Sequence, residues 1–170
     1  MGVPKRPMGL FTAHPGQQPN EDKRHFNRLR AASTAAMAFL FLFVANTGMN
    51  TAPVLSLPWS QALAESVARP GAERQGFRSV KYRAGGATVS FEVGIAFMPK
   101  LKKYLKLRAY LLEGSPGCDT LFFTSLLSGT NGHKFLPVSE GSVKSIFKTL
   151  VKRFDPQLEY VSPKKWRASV

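Results

Sequence analysis

A chain of 170 residues is long enough for one domain with a hydrophobic core and too short for two full domains. Its hydrophobic content of 44% excludes wholesale disorder, and its single cysteine, Cys118, excludes an internal disulfide framework and suits a reducing cytoplasm. Twenty-four Lys and Arg residues against ten Asp and Glu give a net charge of +14, which predicts a polyanionic partner, either nucleic acid or an acidic membrane surface.

The basic excess is concentrated in the second part of the chain. Residues 71–170 hold 17 basic and 7 acidic residues, whereas residues 1–70 hold 7 and 3. Such an excess can also serve solubility alone. His14, His25 and His133 lie far apart and no Cys/His cluster exists, so the sequence predicts no zinc or haem site. We also expect no other metal, no cofactor and no small-molecule substrate.

Residues 1–20 contain four prolines, three glycines and no apolar period, which is typical of a flexible arm. We interpret residues 21–170 as one partial domain. Its first predicted helix has Asn20 or Asp22 as a cap and runs to Ala45. Gly48, in the segment after it, can take a left-handed conformation and end the helix.

The chain carries no charged residue over positions 31–64, which raises the question of a membrane span. The strongly apolar part, 35–45, is about half of the roughly 20 residues that a span requires. Polar residues and Gly48 then interrupt it, followed by Pro53 and Pro58. A buried helix of a soluble domain fits better. The alternative is a small basic membrane-associated protein in which 35–45 inserts or lies at the interface.

Three further elements follow in order. Residues 52–63 form a short apolar element with Trp59 packed inward, and 68–76 read as a loop. Residues 77–94 then predict a β-hairpin, because Gly85-Gly86 supplies a tight turn between two segments that alternate apolar and polar residues. The alternating apolar positions are Val80, Tyr82, Val89, Phe91 and Val93.

Pro99 opens a predicted amphipathic helix that ends at Gly114. Its outward side carries Lys100, Lys103 and Lys106. Residues 120–127 form a short apolar element that could be a strand, and His133 is expected in a loop. The inward positions of the predicted helix that Pro99 opens are Leu101, Tyr104, Leu105, Leu111 and Leu112.

The last predicted helix starts after Ser139 as a cap and stops at Asp155-Pro156. Its outward face carries Lys144, Lys148 and Lys152 at i, i+4 spacing. The fold class predicted is therefore mainly α with a small antiparallel sheet (α+β). Two basic-faced helices with a basic hairpin between them suggest a phosphate-binding surface, although a lysine ladder alone is equally typical of a solvated helix face. The inward positions of this helix are Val143, Ile146, Phe147, Leu150, Val151 and Phe154.

The order of these elements resembles the catalytic domain of tyrosine recombinases, the phage-integrase-like enzymes. The motifs that carry the resemblance run collinearly from about Arg28 to Ser169: "NTGMNTAPVLSLPW", a basic hairpin, "PKLKKYL", "LFFTS", "GSVKSIFKTLVKR" and "VSPKKWRAS". In that family a tyrosine attacks a DNA phosphodiester without metal or nucleotide, and two arginines hold the charge on the phosphate.

The resemblance implies catalytic positions for three residues. Arg167 matches the second arginine, and Lys164 stands where the family has a histidine. Lys81 lies near the position of the hairpin general acid, with Arg83 as the alternative. Arg167 and Lys164 could equally be exposed terminal residues, and Lys81 a solvent-facing strand residue.

The sequence also departs from the family pattern. Asn50 stands where the first arginine is expected, unless it is only a turn residue after the first helix, and the chain stops three residues after Arg167, before the family's nucleophilic tyrosine. We therefore expect a cytoplasmic, truncated recombinase-like protein that binds duplex DNA in site-specific recombination or integration but does not cleave DNA alone. Other recombinase protomers are candidate partners. The predicted DNA-binding residues are Lys81, Arg83, Lys103, Lys106, Lys148 and Lys152.

Overall fold

The structure, a computed structural model, describes residues 25–81, 87–113, 117–128 and 132–157. Within these ranges the chain is mainly helical with two small antiparallel sheets, which confirms the α+β class. The arm predicted at 1–20 lies outside them. The elements are α1 Phe26–Thr47, α2 Thr51–Leu55, α3 Gln61–Ala68, β1 Gln75–Lys81, β2 Ala87–Val93, α4 Met98–Leu112, β3 Phe123–Ser128, β4 Gly132–Pro137 and α5 Glu140–Phe154.

Helix α1 begins later than predicted and ends where predicted. Its N-cap is His25, whose Nδ1 accepts a hydrogen bond from the Asn27 N–H at 3.3 Å, so the expected cap at Asn20 or Asp22 is wrong. At the other end, Gly48 has φ 62° and its N–H donates to the Val44 carbonyl at 3.0 Å. Glycine adopts this left-handed conformation without a Cβ clash, which explains the stop.

The core is built around the C-terminal half of α1. Phe43 is fully buried, and its ring lies between rings contributed by both strands of the first hairpin, by the start of α4 and by the segment before β3. Because these partners lie far apart in sequence, α1 is the element that joins them. The rings whose centroids lie within 6.3 Å of the Phe43 ring are Phe39, Phe77, Phe91, Phe97 and Phe122.

Among the described residues, α1 is also the one helix long and apolar enough to cross a bilayer, with 22 residues and a mean hydropathy of 1.5 over an 18-residue window. Eight of its side chains are buried against the rest of the protein. A polar contact adds to this packing, since the Ser125 hydroxyl of β3 donates to the Ser33 hydroxyl at 2.6 Å. The apolar composition of α1 is therefore used in core packing.

The predicted apolar element at 52–63 is two short helices with an extended link. Ser60 caps α3, since its Oγ accepts from the Leu63 N–H at 3.1 Å. In the link, Pro58 forms an isolated antiparallel bridge with Thr120, and the Trp59 N–H donates to the Asp119 carbonyl at 2.7 Å. These contacts hold the segment before β3 against the link between α2 and α3.

The first predicted hairpin is confirmed as an antiparallel strand pair whose register places Phe77 opposite Phe91, whereas its Gly85-Gly86 turn and Tyr82 lie outside the described residues. Their rings stack at 5.1 Å with an interplanar angle of 11°. The same register pairs the backbone of Val80 with that of Thr88. The buried side chain that the structure describes in β1 is Phe77, a position that the apolar alternation of the sequence does not indicate.

A second hairpin was not predicted. Strand β3 confirms the apolar element at 120–127, but β4 pairs with it in an antiparallel register that places His133 opposite Leu127. The expectation that His133 is a loop residue is therefore wrong. Phe135 of β4 packs its ring edge-to-face on Phe123 at 5.3 Å, which fixes the hairpin on the core.

The two basic helices are confirmed. Helix α4 has Pro99 in its first turn and buries Leu101, Tyr104, Leu105 and Leu111, with Leu112 half-buried. Helix α5 starts after Ser139, whose Oγ accepts from the Ser142 N–H at 3.1 Å. The positions of α5 that pack inward are Val143, Ile146, Phe147 and Leu150.

Candidate nucleic-acid interface

Helix α4 presents a row of exposed lysines, which we call the α4 lysine face: Lys100, Lys103 and Lys106. The helix itself contains no acidic residue. Lys103 and Lys106 have no carboxylate partner among the residues that the structure describes. Lys102, by contrast, turns toward α3, where its Nζ donates to the Arg69 carbonyl at 3.4 Å. The α4 lysine face is therefore open to an anion from solvent.

Helix α5 presents a second row, the α5 lysine face: Lys144, Lys148 and Lys152, all exposed. Residues four apart rise by about 6 Å on a helix, so the three positions span roughly 12 Å along the axis. Glu140 lies one turn before Lys144, at the end of the helix where its charge is favourable to the helix dipole. The predicted outward position of Lys103, Lys106, Lys148 and Lys152 is confirmed, and their role in DNA binding stays a prediction.

A buried arginine, Arg108, anchors α4 in the fold. Only 3% of its surface is exposed, and one terminal nitrogen of its guanidinium donates to the Cys118 carbonyl at 2.6 Å and to the Thr120 carbonyl at 3.1 Å. Its Cζ lies 3.7 Å from the centre of the Trp59 ring, a cation–π contact. Burial lowers the pKa of Arg108, and the nearby Tyr104 and Cys118 act in the opposite direction.

Tyr104 supports the same junction from one turn earlier. Its hydroxyl donates to the Leu121 carbonyl at 2.8 Å, and burial raises its pKa above the ordinary tyrosine range, so the hydroxyl stays protonated. Tyr104 and Arg108 therefore fix α4 against the segment before β3. They hold the helix that carries the α4 lysine face, and neither is exposed to a partner.

Sequence reasoning missed Arg108. The signal was present, because position 108 continues the buried stripe formed by Leu101, Tyr104 and Leu105. An arginine is rarely buried without a paired charge, so its residue type favoured the surface. Its acceptors are backbone carbonyls, and these leave no mark in a sequence.

The structure places only two of the residues that the recombinase resemblance singled out. Lys81 is the last residue of β1, and its backbone pairs with Ala87. Asn50 is exposed at the N-cap position of α2, where its carbonyl accepts from the Val54 N–H at 3.4 Å. Arg83, Lys164 and Arg167 lie outside the described residues, so a catalytic group formed with Lys81 stays a prediction.

The described residues offer little support for a metal site or a phosphate pocket. Among the described residues, no three His, Cys, Asp or Glu side chains come close enough together to hold a metal ion. An open depression of about 590 Å³ lies on the first hairpin, lined by Gly76, Phe77, Ser90, Phe91 and Glu92. Its charged residue, Glu92, pairs with Arg74 at 3.5 Å, and an acidic lining does not suit a phosphate.

Comparison with known proteins adds no relative. No family model matches the sequence, and no curated protein or solved structure matches the chain.

The two lysine faces lie on helices that pack against different sides of α1. Phe39 stacks on Tyr104 of α4 at 4.4 Å, whereas Phe41 meets Phe147 of α5 edge-to-face at 4.9 Å. Each residue of an α-helix turns by about 100°, so positions 39 and 41 project roughly 200° apart. Tyr104 of α4 and Phe147 of α5 therefore contact α1 from nearly opposite sides.

Proposed function

We propose that the protein binds duplex DNA through its phosphates, with Lys103, Lys106, Lys148 and Lys152 as the principal contacts. The observation that carries the proposal is the exposure of lysine rows on both α4 and α5, on a chain of net charge +14. Lysines that neutralise phosphates release condensed counterions, which supplies sequence-independent affinity. Lys81, at the end of β1, and Arg83, which lies outside the described residues, would extend the same role.

The first prediction concerns the salt dependence of this binding. Fluorescence anisotropy with a labelled 30-base-pair duplex should show log K falling linearly with log salt concentration. The double substitution K148Q/K152Q should reduce the magnitude of that slope by about 2, because each phosphate contact contributes roughly 0.9. The loss of affinity should be similar for duplexes of unrelated sequence, since phosphates carry no sequence information.

A matched control removes two positive charges elsewhere. Arg69 and Lys134 are exposed and lie on neither lysine face, so R69Q/K134Q has the same net charge as K148Q/K152Q. We expect the control to keep a slope close to that of the unmodified protein. Equal slopes for both double variants would show that net charge, and not the lysine faces, determines binding. Absence of salt-dependent duplex binding would refute the proposal.

We further propose that the fold resembles the catalytic domain of tyrosine recombinases and that DNA binding serves site-specific recombination or integration. The support is the collinear order of the sequence motifs. Lys81 or Arg83, together with Lys164 and Arg167, would then contact the scissile phosphate, with other recombinase protomers as partners. Asn50 replaces one of the two arginines expected at that phosphate, so this chain alone should not cleave.

The second prediction tests that step. After incubation with a nicked, end-labelled duplex, a denaturing gel should show no covalent protein–DNA adduct. An amide at Asn50 offers no charged bidentate clamp for the phosphate, and the Tyr104 hydroxyl is buried and bonded to the Leu121 carbonyl. A trapped adduct would show that the chain cleaves DNA, and mass spectrometry of its peptide would identify the nucleophile.

The length and apolar composition of α1 favour a second candidate, association with a membrane in which the lysines face anionic lipid. In this candidate α1 leaves the core to contact acyl chains. Replacing Phe43, which is fully buried in the fold, would then affect stability no more than replacing the exposed Leu42. The two candidates therefore differ in what substitutions within α1 should do.

A further inference from the structure

We propose that one molecule bridges two separate duplex segments, one on each lysine face. The inference rests on the DNA binding proposed above and adds the number and arrangement of the DNA partners. It follows from the position of α4 and α5 relative to α1 and from the direction of their lysines.

The first step is the position of the helices. Phe39 and Phe41 project from α1 roughly 200° apart, and they contact α4 and α5 respectively. Helix α1 therefore lies between the side chains through which α4 and α5 contact it. The exposed stripe of α1 between the two helices contains Ala31, Ala35 and Leu42, with Arg28 near its N-terminal end.

The second step is the direction of the lysines on each helix. In α4, Lys103 and Lys106 each project about 150° around the axis from the centre of the buried stripe that contains Leu101, Tyr104 and Arg108. In α5, the lysine face is centred roughly 145° from the buried positions, which include Phe147. Each face thus points away from the core, and the core lies between the two helices.

One short, straight duplex can occupy only one of the two lysine faces. Two faces that point away from each other on opposite sides of a folded domain cannot both lie against one short, straight duplex. DNA has a persistence length of about 150 base pairs, so a 30-base-pair duplex does not bend around the domain without a large cost. Occupation of both faces therefore requires two duplex segments.

A bead-capture experiment tests the proposal with the full chain. A biotinylated 30-base-pair duplex is immobilised, protein is added, and capture of a second, fluorescent duplex of the same length is measured at low salt. We expect the unmodified protein to capture the second duplex. Both K103Q/K106Q and K148Q/K152Q should reduce capture at least tenfold while each still binds a single duplex in anisotropy.

The control and the stoichiometry make the result decisive. R69Q/K134Q removes two positive charges that lie on neither lysine face, so it should capture the second duplex as well as the unmodified protein does. Sedimentation with excess duplex should give two duplexes per protein monomer. One duplex per monomer, or capture that survives in both lysine double variants, would overturn bridging. If the unmodified protein shows no salt-dependent binding to a single duplex, the proposed function itself fails.

Discussion

Replacing Phe43 by alanine should lower the free energy of unfolding by about 3–5 kcal/mol, the usual range for a buried phenylalanine. The Phe43 side chain is 0% exposed and its ring contacts both strands of the first hairpin as well as Phe97 and Phe122. Its removal leaves a cavity among elements that cannot all move inward together. Urea unfolding followed by circular dichroism measures the change.

The neighbouring residue provides the control. Leu42 lies on the same turn of α1 but is 48% exposed, so Leu42→Ala should cost less than about 1 kcal/mol. The contrast between adjacent positions is the expected signature of a helix that packs in a protein core. Equal effects of Leu42→Ala and Phe43→Ala would contradict this packing and favour a helix that leaves the core for a membrane.

The parts of the fold that were predicted from sequence are those set by local interactions. The end of α1 at Gly48, the start of α5 after Ser139 and the inward stripe of α4 each depend on residues within a turn or two of one another. A left-handed glycine, a serine hydroxyl that accepts an N–H and a 3.6-residue apolar period act wherever they occur. Their outcome therefore follows from the sequence alone.

The second hairpin escaped prediction because its strands carry a weak pattern. In β4, Phe135 is half-buried while Lys134 and Leu136 on either side of it are exposed, so one apolar anchor defines the buried face. The contact that fixes this strand is the ring of Phe123, in the partner strand β3. Pairing with β3, and not the alternation within β4, determines the position of His133 in a strand.

In the candidate interface too, local periodicity predicts some features and tertiary contacts determine the others. Helical periodicity places Lys103, Lys106, Lys148 and Lys152 on outward faces, and the structure agrees. Periodicity does not determine where the helices lie around α1, because that depends on which partner Phe39 and Phe41 each contact across long sequence separations. Which sides of the molecule the two lysine rows occupy therefore depends on tertiary packing.

Replacing Arg108 by methionine should destabilise the fold by about 2–4 kcal/mol, because a hydrogen bond from a charged donor contributes roughly 1.5–3 kcal/mol and buried acceptors left unpaired cost more. Methionine keeps an apolar stem of similar length while removing the donors to the Cys118 and Thr120 carbonyls and the cation over Trp59. The stability of Arg108→Lys should fall between those of the unmodified protein and Arg108→Met, since an ammonium retains the charge without the planar fork. Urea unfolding measures all three proteins.

Two further measurements separate this anchoring role from a direct contact with DNA. Trp59 and Trp166 are the two tryptophans of the chain, so in a W166F background the emission of Trp59 reports the loss of the stacked guanidinium. Under conditions where Arg108→Met is still folded, its salt slope for duplex binding should equal that of the unmodified protein, because a buried cation releases no counterion. An unchanged unfolding midpoint with unchanged Trp59 emission would contradict the anchor, and a slope reduced by about 1 would indicate that Arg108 reaches a phosphate.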